Sequence, residues 1–169
     1  MVTEGYRISR TVASDWREVR ALRLEMLRDT PIAFGETLQD ALSHTESEWR
    51  MRAARGTAEH GTVLVAIDPA GNWVGTMGGY VPDPVSGALL VGVYVSPGHR
   101  GRDAGVFDSL LGAIEEWARG EGEVLTLHVH EDNARARAAY LRRGFTETGN
   151  RVQYVLDPAS EEIEMVKRL

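Results

Sequence analysis

The chain has 169 residues, enough for one domain with a real core, and its 43% hydrophobic and 26% charged residues are typical of a globular protein. It has no cysteine, which excludes disulfides, thiolate metal sites and a cysteine nucleophile. The net charge of -6 argues against a nucleic-acid partner. An acidic surface would suit a cationic ligand such as an amine, unless it only confers solubility.

The sequence gives no sign of membrane insertion or export. No apolar run approaches the roughly 20 residues that span a bilayer. The first ten residues, MVTEGYRISR, lack the basic-then-apolar order of a signal peptide. We therefore expect a cytoplasmic protein without a membrane partner.

The first third of the chain is predicted to form one strand and two helices. Alternation over residues 6–10 indicates a half-buried strand, and apolar spacing predicts a helix over 14–30. Residues 32–42 have the character of a loop. A capping-box pattern then starts a second helix over 45–55.

Three strands are predicted next. Residues 62–67 and 73–81 flank turn chemistry and indicate a hairpin. Residues 89–95 are almost wholly apolar, which predicts a strand covered on both faces. Gly92 in the middle of that strand indicates a bulge or a close backbone approach.

The last part of the chain alternates between helix and strand. We predict a helix over 106–117, a strand over 124–129, a helix over 133–143, and strands over 145–155 and 162–168. The predicted order is βααβββαβαββ, which indicates a mixed sheet with helices on both faces.

A loop rich in glycine and arginine precedes the helix at 106–117. Backbone N–H groups at the start of a helix have no intrahelical partner, and the helix dipole adds positive potential, so this order predicts a phosphate cradle. The loop has no lysine for a P-loop, and its glycine spacing is not that of a Rossmann fingerprint. The alternative is an ordinary surface loop with solvated arginines. The residues concerned are Gly98, Arg100, Gly101, Arg102 and Gly105.

A second motif lies in the last predicted helix. Asn133, Ala136 and Tyr140 are spaced by three and four residues, so they share one helix face, and Gly144-Phe145 follow. This order matches N-x-x-A-x-x-x-Y-x-x-x-G-F, a motif of the GNAT superfamily of N-acetyltransferases. The preceding loop stands where that family has its pyrophosphate motif, [QR]-x-x-G-x-[GA]. The chain thus resembles the family over nearly its whole length, with the weakest signal before the hairpin.

The resemblance implies an α/β (α+β) fold. The GNAT fold is a mixed, mostly antiparallel sheet of about seven strands flanked by about four helices, with the fourth and fifth strands splayed. Residues 1–169 would then form one acetyltransferase domain. That domain would transfer an acetyl group from acetyl-CoA to a primary amine of a small molecule, peptide or protein, by direct attack in a ternary complex. A homodimer is left open.

The loop fits the family motif in two registers. In one, Arg100 is the first motif residue, but Asp103 then replaces the expected glycine. In the other, Arg102, Gly105 and Phe107 fill the motif places, and the following helix falls in phase. The second register fits better, although it puts a large ring where the family has Gly or Ala. In either register the resemblance assigns cofactor binding to Arg100, Gly101, Arg102, Asp103, Ala104, Gly105, Val106 and Phe107.

The resemblance also implies the rest of the cofactor site. Val93, Tyr94 and Val95 would pair their backbone with the pantetheine arm, and Asn133 and Tyr140 would line the same site. We expect Tyr140 to be the general acid. A phenol, with a pKa of about 10, can protonate a departing thiolate, whose thiol has a pKa of about 8.5. The alternative is a tyrosine that only packs on the sheet.

A general base is harder to identify, because an alkyl ammonium has a pKa of about 10.4. The carboxylate candidates are Glu36, Asp40 and Glu131. Glu36 comes first, since Phe34-Gly35-Glu36 lies in the segment that covers the acceptor site in similar proteins. An amine with a low pKa would need no base.

Two further hypotheses concern a metal and a different function. His128 and His130 share a strand face, but no third ligand has convincing spacing, so we expect no metal. A non-catalytic acyl-CoA-binding module or sensor is one alternative function; Tyr140 argues against it and Phe107 keeps it open. An enzyme that uses a longer acyl-CoA is another.

Overall fold

The computed structural model describes residues 5–101 and 105–169. The strands are β1 (Arg7–Arg10), β2 (Gly61–Ile67), β3 (Trp73–Tyr80), β4 (Ala88–Val95), β5 (Val124–His130), β6 (Thr146–Tyr154) and β7 (Asp157–Arg168). The helices are α1 (Trp16–Asp29), α2 (Leu38–Leu42), α3 (Glu46–Ala54), α4 (Val106–Arg119) and α5 (Ala134–Arg142). The strands form a seven-stranded sheet in the order β1-β2-β3-β4-β5-β7-β6.

The predicted mixed sheet with flanking helices is confirmed, with two differences. The segment predicted as a loop contains α2, whose first turn is capped by Thr37: its side-chain oxygen accepts the amide of Asp40. The last strand begins at Asp157, five residues earlier than predicted. The start of that strand is mostly exposed, as is nearly all of β6, so neither shows the apolar alternation from which a strand is predicted.

The fourth and fifth strands splay apart, as the resemblance implied. They are parallel neighbours and pair only at their beginnings, Ala88 with Leu125 and Leu89 with Thr126. Every other pair of neighbouring strands is antiparallel. Beyond Leu89 the two strands therefore leave a gap in the middle of the sheet.

The predicted bulge at Gly92 is confirmed. The β3–β4 register shifts by one residue between the pairs Thr76–Tyr94 and Gly78–Val91, so β4 has two residues where β3 has one. Gly92 has a φ of 59°, a left-handed conformation that glycine adopts at little cost. The bulge bends β4 at the point where it leaves β5.

Helices cover the sheet through two hydrophobic clusters. The larger one joins the sheet to α4, Tyr140 and Phe145, and the other lies beneath α1 and α3 around Trp49. Helix α4 can approach β3 closely because residue 79 is a glycine: a Cβ there would lie 2.4 Å from the ring of Trp117. Among the described residues, no helix has both the length and the apolar character needed to cross a membrane.

Candidate active site

A cleft of about 340 Å³ opens where β4 and β5 separate. One wall is residues 90–95 of β4, the other is residues 127–130 of β5, and α5 closes the side with Tyr140 and Asn133. The separation of the two strands and the bulge in β4 thus open a pocket in the middle of the sheet. Ligands often bind at such positions in α/β folds.

The charges around this cleft are positive. Four arginines line it, and no carboxylate does among the described lining residues. Arg100 and Arg143 form ion pairs with Asp29 and Asp108. Arg135 and Arg142 have no ion-pair partner within 5–101 and 105–169, so their charges are available to an anionic ligand.

Of the predicted loop residues that are described, Arg100, Gly101 and Phe107 line the cleft. The Nε–H of Arg100 donates to the carbonyl of Val95 over 2.6 Å, and its guanidinium binds Asp29, which fixes the loop to α1. Gly101 and Gly105 have φ angles of 109° and 67°. Gly105 occupies the N-cap position of α4.

The first turn of α4 supplies amides without an intrahelical acceptor, including those of Val106 and Phe107. These are the kind of donors that the phosphate cradle requires. The predicted binding residues Arg102, Asp103 and Ala104 lie outside the described residues. The choice between the two motif registers therefore stays a prediction.

Phe107 is half-buried and packs against the core at the edge of the cleft. Its ring centroid lies 6.0 Å from that of Tyr140. The guanidinium of Arg143 lies over the Phe107 ring, 4.4 Å from its centroid. Part of the Phe107 ring thus forms cleft wall between a cation and the predicted acid.

Tyr140 is buried, with 5% of its surface exposed. Its ring also contacts Phe145, at a centroid distance of 5.5 Å. Burial raises the pKa of the Tyr140 phenol above its ordinary value of 10, and the charge of Arg143 opposes this only in part. Its hydroxyl has no hydrogen-bond partner in the described part of the chain. A protonated phenol with a free hydroxyl, lining a cleft, is able to donate to a ligand.

The other predicted cofactor residues lie on the same cleft. Asn133 caps α5, since its side-chain oxygen accepts the amide of Ala136 over 3.3 Å. Val93, Tyr94 and Val95 line the cleft beyond the last β4–β5 pair. The Tyr94 side chain is committed elsewhere, because its hydroxyl donates to Glu25 over 2.8 Å. Burial, and then this hydrogen bond, raise the pKa of the Tyr94 phenol.

Each of the two histidines of β5 has a hydrogen-bond partner elsewhere in the protein. The Nε2 atom of His128 lies 3.3 Å from the Glu164 carboxylate. The Nδ1 atom of His130 accepts the amide of Asp132, and its ring meets that of Tyr154 edge-on at 4.7 Å. Glu131, a candidate base, forms an ion pair with Arg151 at 3.2 Å.

Two guanidinium groups and one imidazole contact the carboxylate of Glu36. Arg52 binds both of its oxygens, the Nε–H of Arg23 donates to one of them over 3.0 Å, and His44 lies 2.8 Å from the other. Burial alone would raise the pKa of the Glu36 carboxyl. The hydrogen bonds from Arg52, His44 and Arg23 outweigh it and lower that pKa to about 2. These contacts argue against Glu36 as a base, because such a carboxylate has little affinity for a proton.

A second cavity, of about 310 Å³, lies on the α1 side of the sheet. It shares Val91 and Gly92 with the cleft, so the two meet at the bulge of β4. A third cavity, of about 260 Å³, shares lining residues with each of them, and we call it the passage. Its lining includes Arg23, His128 and Glu162. Burial raises the pKa of the half-buried Glu162 carboxyl, and the nearby His128 and His130 oppose the shift.

The family model of the acetyltransferase (GNAT) family matches residues 19–145, about three quarters of the chain. The chain belongs to the GNAT acetyltransferase family. It is therefore an acyl-transferring enzyme, and the expected family and fold are confirmed. None of the curated proteins matches the sequence at a significant level.

Solved structures with the same fold cover almost the whole chain. A GCN5-related N-acetyltransferase from Kribbella flavida has 20% identity and a TM-score of 0.74, over 99% of this chain and 100% of that one. The paia N-acetyltransferase from Thermoplasma acidophilum, in complex with coenzyme A, has 15% identity and a TM-score of 0.75, over 97% and 99%. The yncA protein from Salmonella typhimurium, solved with its cofactor acetyl-CoA, has 18% identity and a TM-score of 0.76, over 98% and 95%.

Three residues that line the candidate site were not predicted from the sequence: Arg135, Arg142 and Glu162. Arg135 and Arg142 are seven residues apart on α5, two helical turns, and this spacing places them on one face. A search for basic residues in phase with each other would have found them. No pattern in the sequence points to Glu162, because it comes to lie opposite His130 only through the pairing of β7 with β5.

Proposed function

We propose that this GNAT enzyme transfers an acetyl group from acetyl-CoA to the primary amine of a small molecule or peptide. The observation that carries this proposal is Tyr140, held with a free hydroxyl on an arginine-lined cleft between two splayed strands. We include in the proposal a single domain over residues 1–169, a cytoplasmic location and the absence of a nucleic-acid partner.

The residues of the cleft fit coenzyme A. Arg135, Arg142 and the amides at the start of α4 would hold its phosphates, and the open edge of β4 beyond Leu89 would lie along the pantetheine arm. Acetyl-CoA would supply the acetyl group as an activated thioester. The protein's own task is then to orient the two substrates and to handle two protons.

We assign to Tyr140 the proton that the sulfur of coenzyme A receives as it leaves. Its hydroxyl stays protonated throughout the neutral range, because burial raises the pKa of the phenol. As the carbon–sulfur bond breaks, the hydroxyl donates its proton to the departing sulfur, and the phenolate regains a proton from solvent. Because the pKa of the phenol lies above that of a thiol, about 8.5, the proton moves together with the bond breaking and not to a free thiolate. Tyr140 is thus the general acid in this proposal, which retains the prediction from sequence.

We assign to Glu162 the role of general base, which removes a proton from the incoming ammonium group. It lines the passage between the two cavities, and burial raises the pKa of its carboxyl, which makes it a better proton acceptor than an ordinary glutamate. His128 lines the same passage and can share the task. Glu36 is given a structural role instead, because it binds Arg23 and Arg52.

A thiol-release assay with acetyl-CoA and a library of amines tests the proposal, with mass spectrometry to identify the acetylated product. Thermal unfolding with and without acetyl-CoA gives an independent test of binding, since a ligand at 100 times its Kd adds about 2.7 kcal/mol of stability. Stabilisation without thiol release from any amine would instead indicate a binding module or sensor. Faster release from longer acyl-CoA substrates would indicate a different acyl donor.

A further inference from the structure

The second cavity is lined by three guanidinium groups, those of Arg23, Arg52 and Arg55, and by no carboxylate among its described lining residues. Because it meets the cleft at Val91 and Gly92, it is the place where an acceptor would approach the acetyl group. Its charge is opposite to the protein's overall charge of -6. The local charge decides which ligand the cavity favours, since charges further away are screened by solvent.

Two of the three guanidinium groups keep hydrogen-bond donors for a ligand. Arg52 uses both terminal nitrogens on Glu36. Arg23 uses only its Nε–H there, and its terminal nitrogens have no acceptor in the described parts of the chain. The guanidinium of Arg55 has no hydrogen bond or ion pair there either. The carboxylate of Glu36 therefore contacts two of the three guanidinium groups, those of Arg23 and Arg52, and Arg23 and Arg55 keep free donors.

Resting on the proposed function, we propose that the acceptor is an amine that also carries an oxyanion such as a carboxylate. Its oxyanion binds the free donors of Arg23 and Arg55, because the planar guanidinium matches a carboxylate in geometry as well as charge. Its amine points toward the passage that contains Glu162. Arg23 lines both spaces, so the two ends of one small molecule reach both groups.

The same charges exclude other acceptors. A polyamine or an aminoglycoside would place further cations beside Arg23, Arg52 and Arg55, where like charges repel in a half-buried site. The rest of the cavity has aromatic side chains, so the part of the acceptor between its two charged ends packs on apolar rings. These side chains are Trp49, Trp73 and Tyr80.

The experiment measures thiol release from acetyl-CoA with matched pairs of amines. Each α- or ω-amino acid is compared with its methyl ester, which has the same amine but no anion, and spermidine and kanamycin serve as polycations.

We expect kcat/KM to be at least tenfold higher for some free acids than for their esters. Arg23→Gln and Arg55→Gln should each remove this preference, mainly through KM. Arg55→Gln leaves the ion pairs of Glu36 intact, so it tests the site without disturbing the fold.

Arg50→Gln is the matched control, because Arg50 lies on α3, pairs with Glu46 and lines neither cavity. It should keep the preference of the wild type. Esters or polycations that react as well as the free acids would overturn the inference while leaving acetyl transfer intact. If no amine releases thiol, the proposed function fails, and calorimetry of the free acids with the CoA-loaded protein decides on the anion site alone. Affinity that falls tenfold in Arg55→Gln supports that site, and no binding to the wild type overturns it.

Discussion

The rings of Tyr140 and Phe107 face each other at a centroid distance of 6.0 Å and an angle of 50°. The residue that departs most from the family's loop motif therefore packs against the proposed general acid. The guanidinium of Arg143 also lies over the Phe107 ring. The large ring at 107 thus helps to position the phenol, while the hydroxyl of Tyr140 stays without a partner among the described residues.

Tyr140→Phe removes only this hydroxyl. We expect kcat to fall at least about tenfold, since a positioned proton donor contributes at least that much, while KM for acetyl-CoA changes little. Steady-state kinetics of thiol release measures both. Tyr154→Phe is the control, because it removes the hydroxyl of a buried tyrosine that does not line the cleft, together with the hydrogen bond of that hydroxyl to the carbonyl of Phe34. An unchanged kcat in Tyr140→Phe would remove the acid role.

Gly105→Glu should abolish acetyl-CoA binding. Gly105 is the N-cap residue of α4, and a carboxylate there would repel phosphates and cover the amides that bind them. The substitution also strains the backbone, because the φ of Gly105 is 67°. Gly71→Glu controls for this strain: its φ is 90°, and no atom lies within 4 Å of the Cβ that it would acquire. Calorimetry should show normal affinity in the control, and normal affinity in Gly105→Glu would mean that the cradle lies elsewhere.

Each feature that the sequence predicted correctly depends on the backbone conformation of a single residue. Gly92 at the bulge, Asn133 at the N-cap and Gly144, with a φ of 93° after α5, are of this kind. Each signal is local, so it can be read without knowledge of the fold. The same holds for the helix face that carries Asn133 and Tyr140.

The features that sequence missed depend on residues distant in the chain. Glu36 is a plausible base until Arg23 from α1 and Arg52 from α3 are seen to bind it, and no periodic pattern links these three positions. Glu162 enters the site only through its register with His130. The charge of a cavity depends on which side chains meet in space, so the overall charge did not predict it.

Glu162→Gln should lower kcat at least about tenfold at neutral pH, as expected for loss of a general base. Burial raises the pKa of this carboxyl, and His128 and His130 oppose the shift. Tyr154 also interacts with the carboxyl, and Arg23 lines the same passage. A base acts when deprotonated, so the wild-type rate should rise with pH through a pKa above 4.5, the ordinary glutamate value. The variant should lack this acid limb in its pH–rate profile.

Glu164→Gln is the control for this prediction. Glu164 is two residues along on the same strand face, but hydrogen bonds from Thr148 and Asn150 lower the pKa of its carboxyl. It does not line the passage. The control should keep the acid limb. Because Glu164 lies 3.3 Å from Nε2 of His128, a changed rate in the control would point to His128 and not to Glu162. An acid limb that persists in Glu162→Gln would assign it to another group, with His128 the first to test.

Glu36→Gln should destabilise the fold by about 2 kcal/mol at pH 7, because Arg23 and Arg52 lose their counter-charge in a half-buried position. The pKa of this carboxyl is lowered to about 2 in the folded protein, against an ordinary value of 4.5. A lowered pKa stabilises the fold at pH values above 4.5, and this contribution is lost as the pH falls toward 2. Urea unfolding at pH 7 and pH 3 should therefore show that the difference in unfolding free energy between wild type and variant is smaller at pH 3.

Glu48→Gln is the control, at a half-exposed carboxylate that contacts only His44 of this cluster. Its unfolding free energy should differ little from that of the wild type at both pH values. An equal gap at both pH values for Glu36→Gln would mean that packing, and not charge, accounts for its effect.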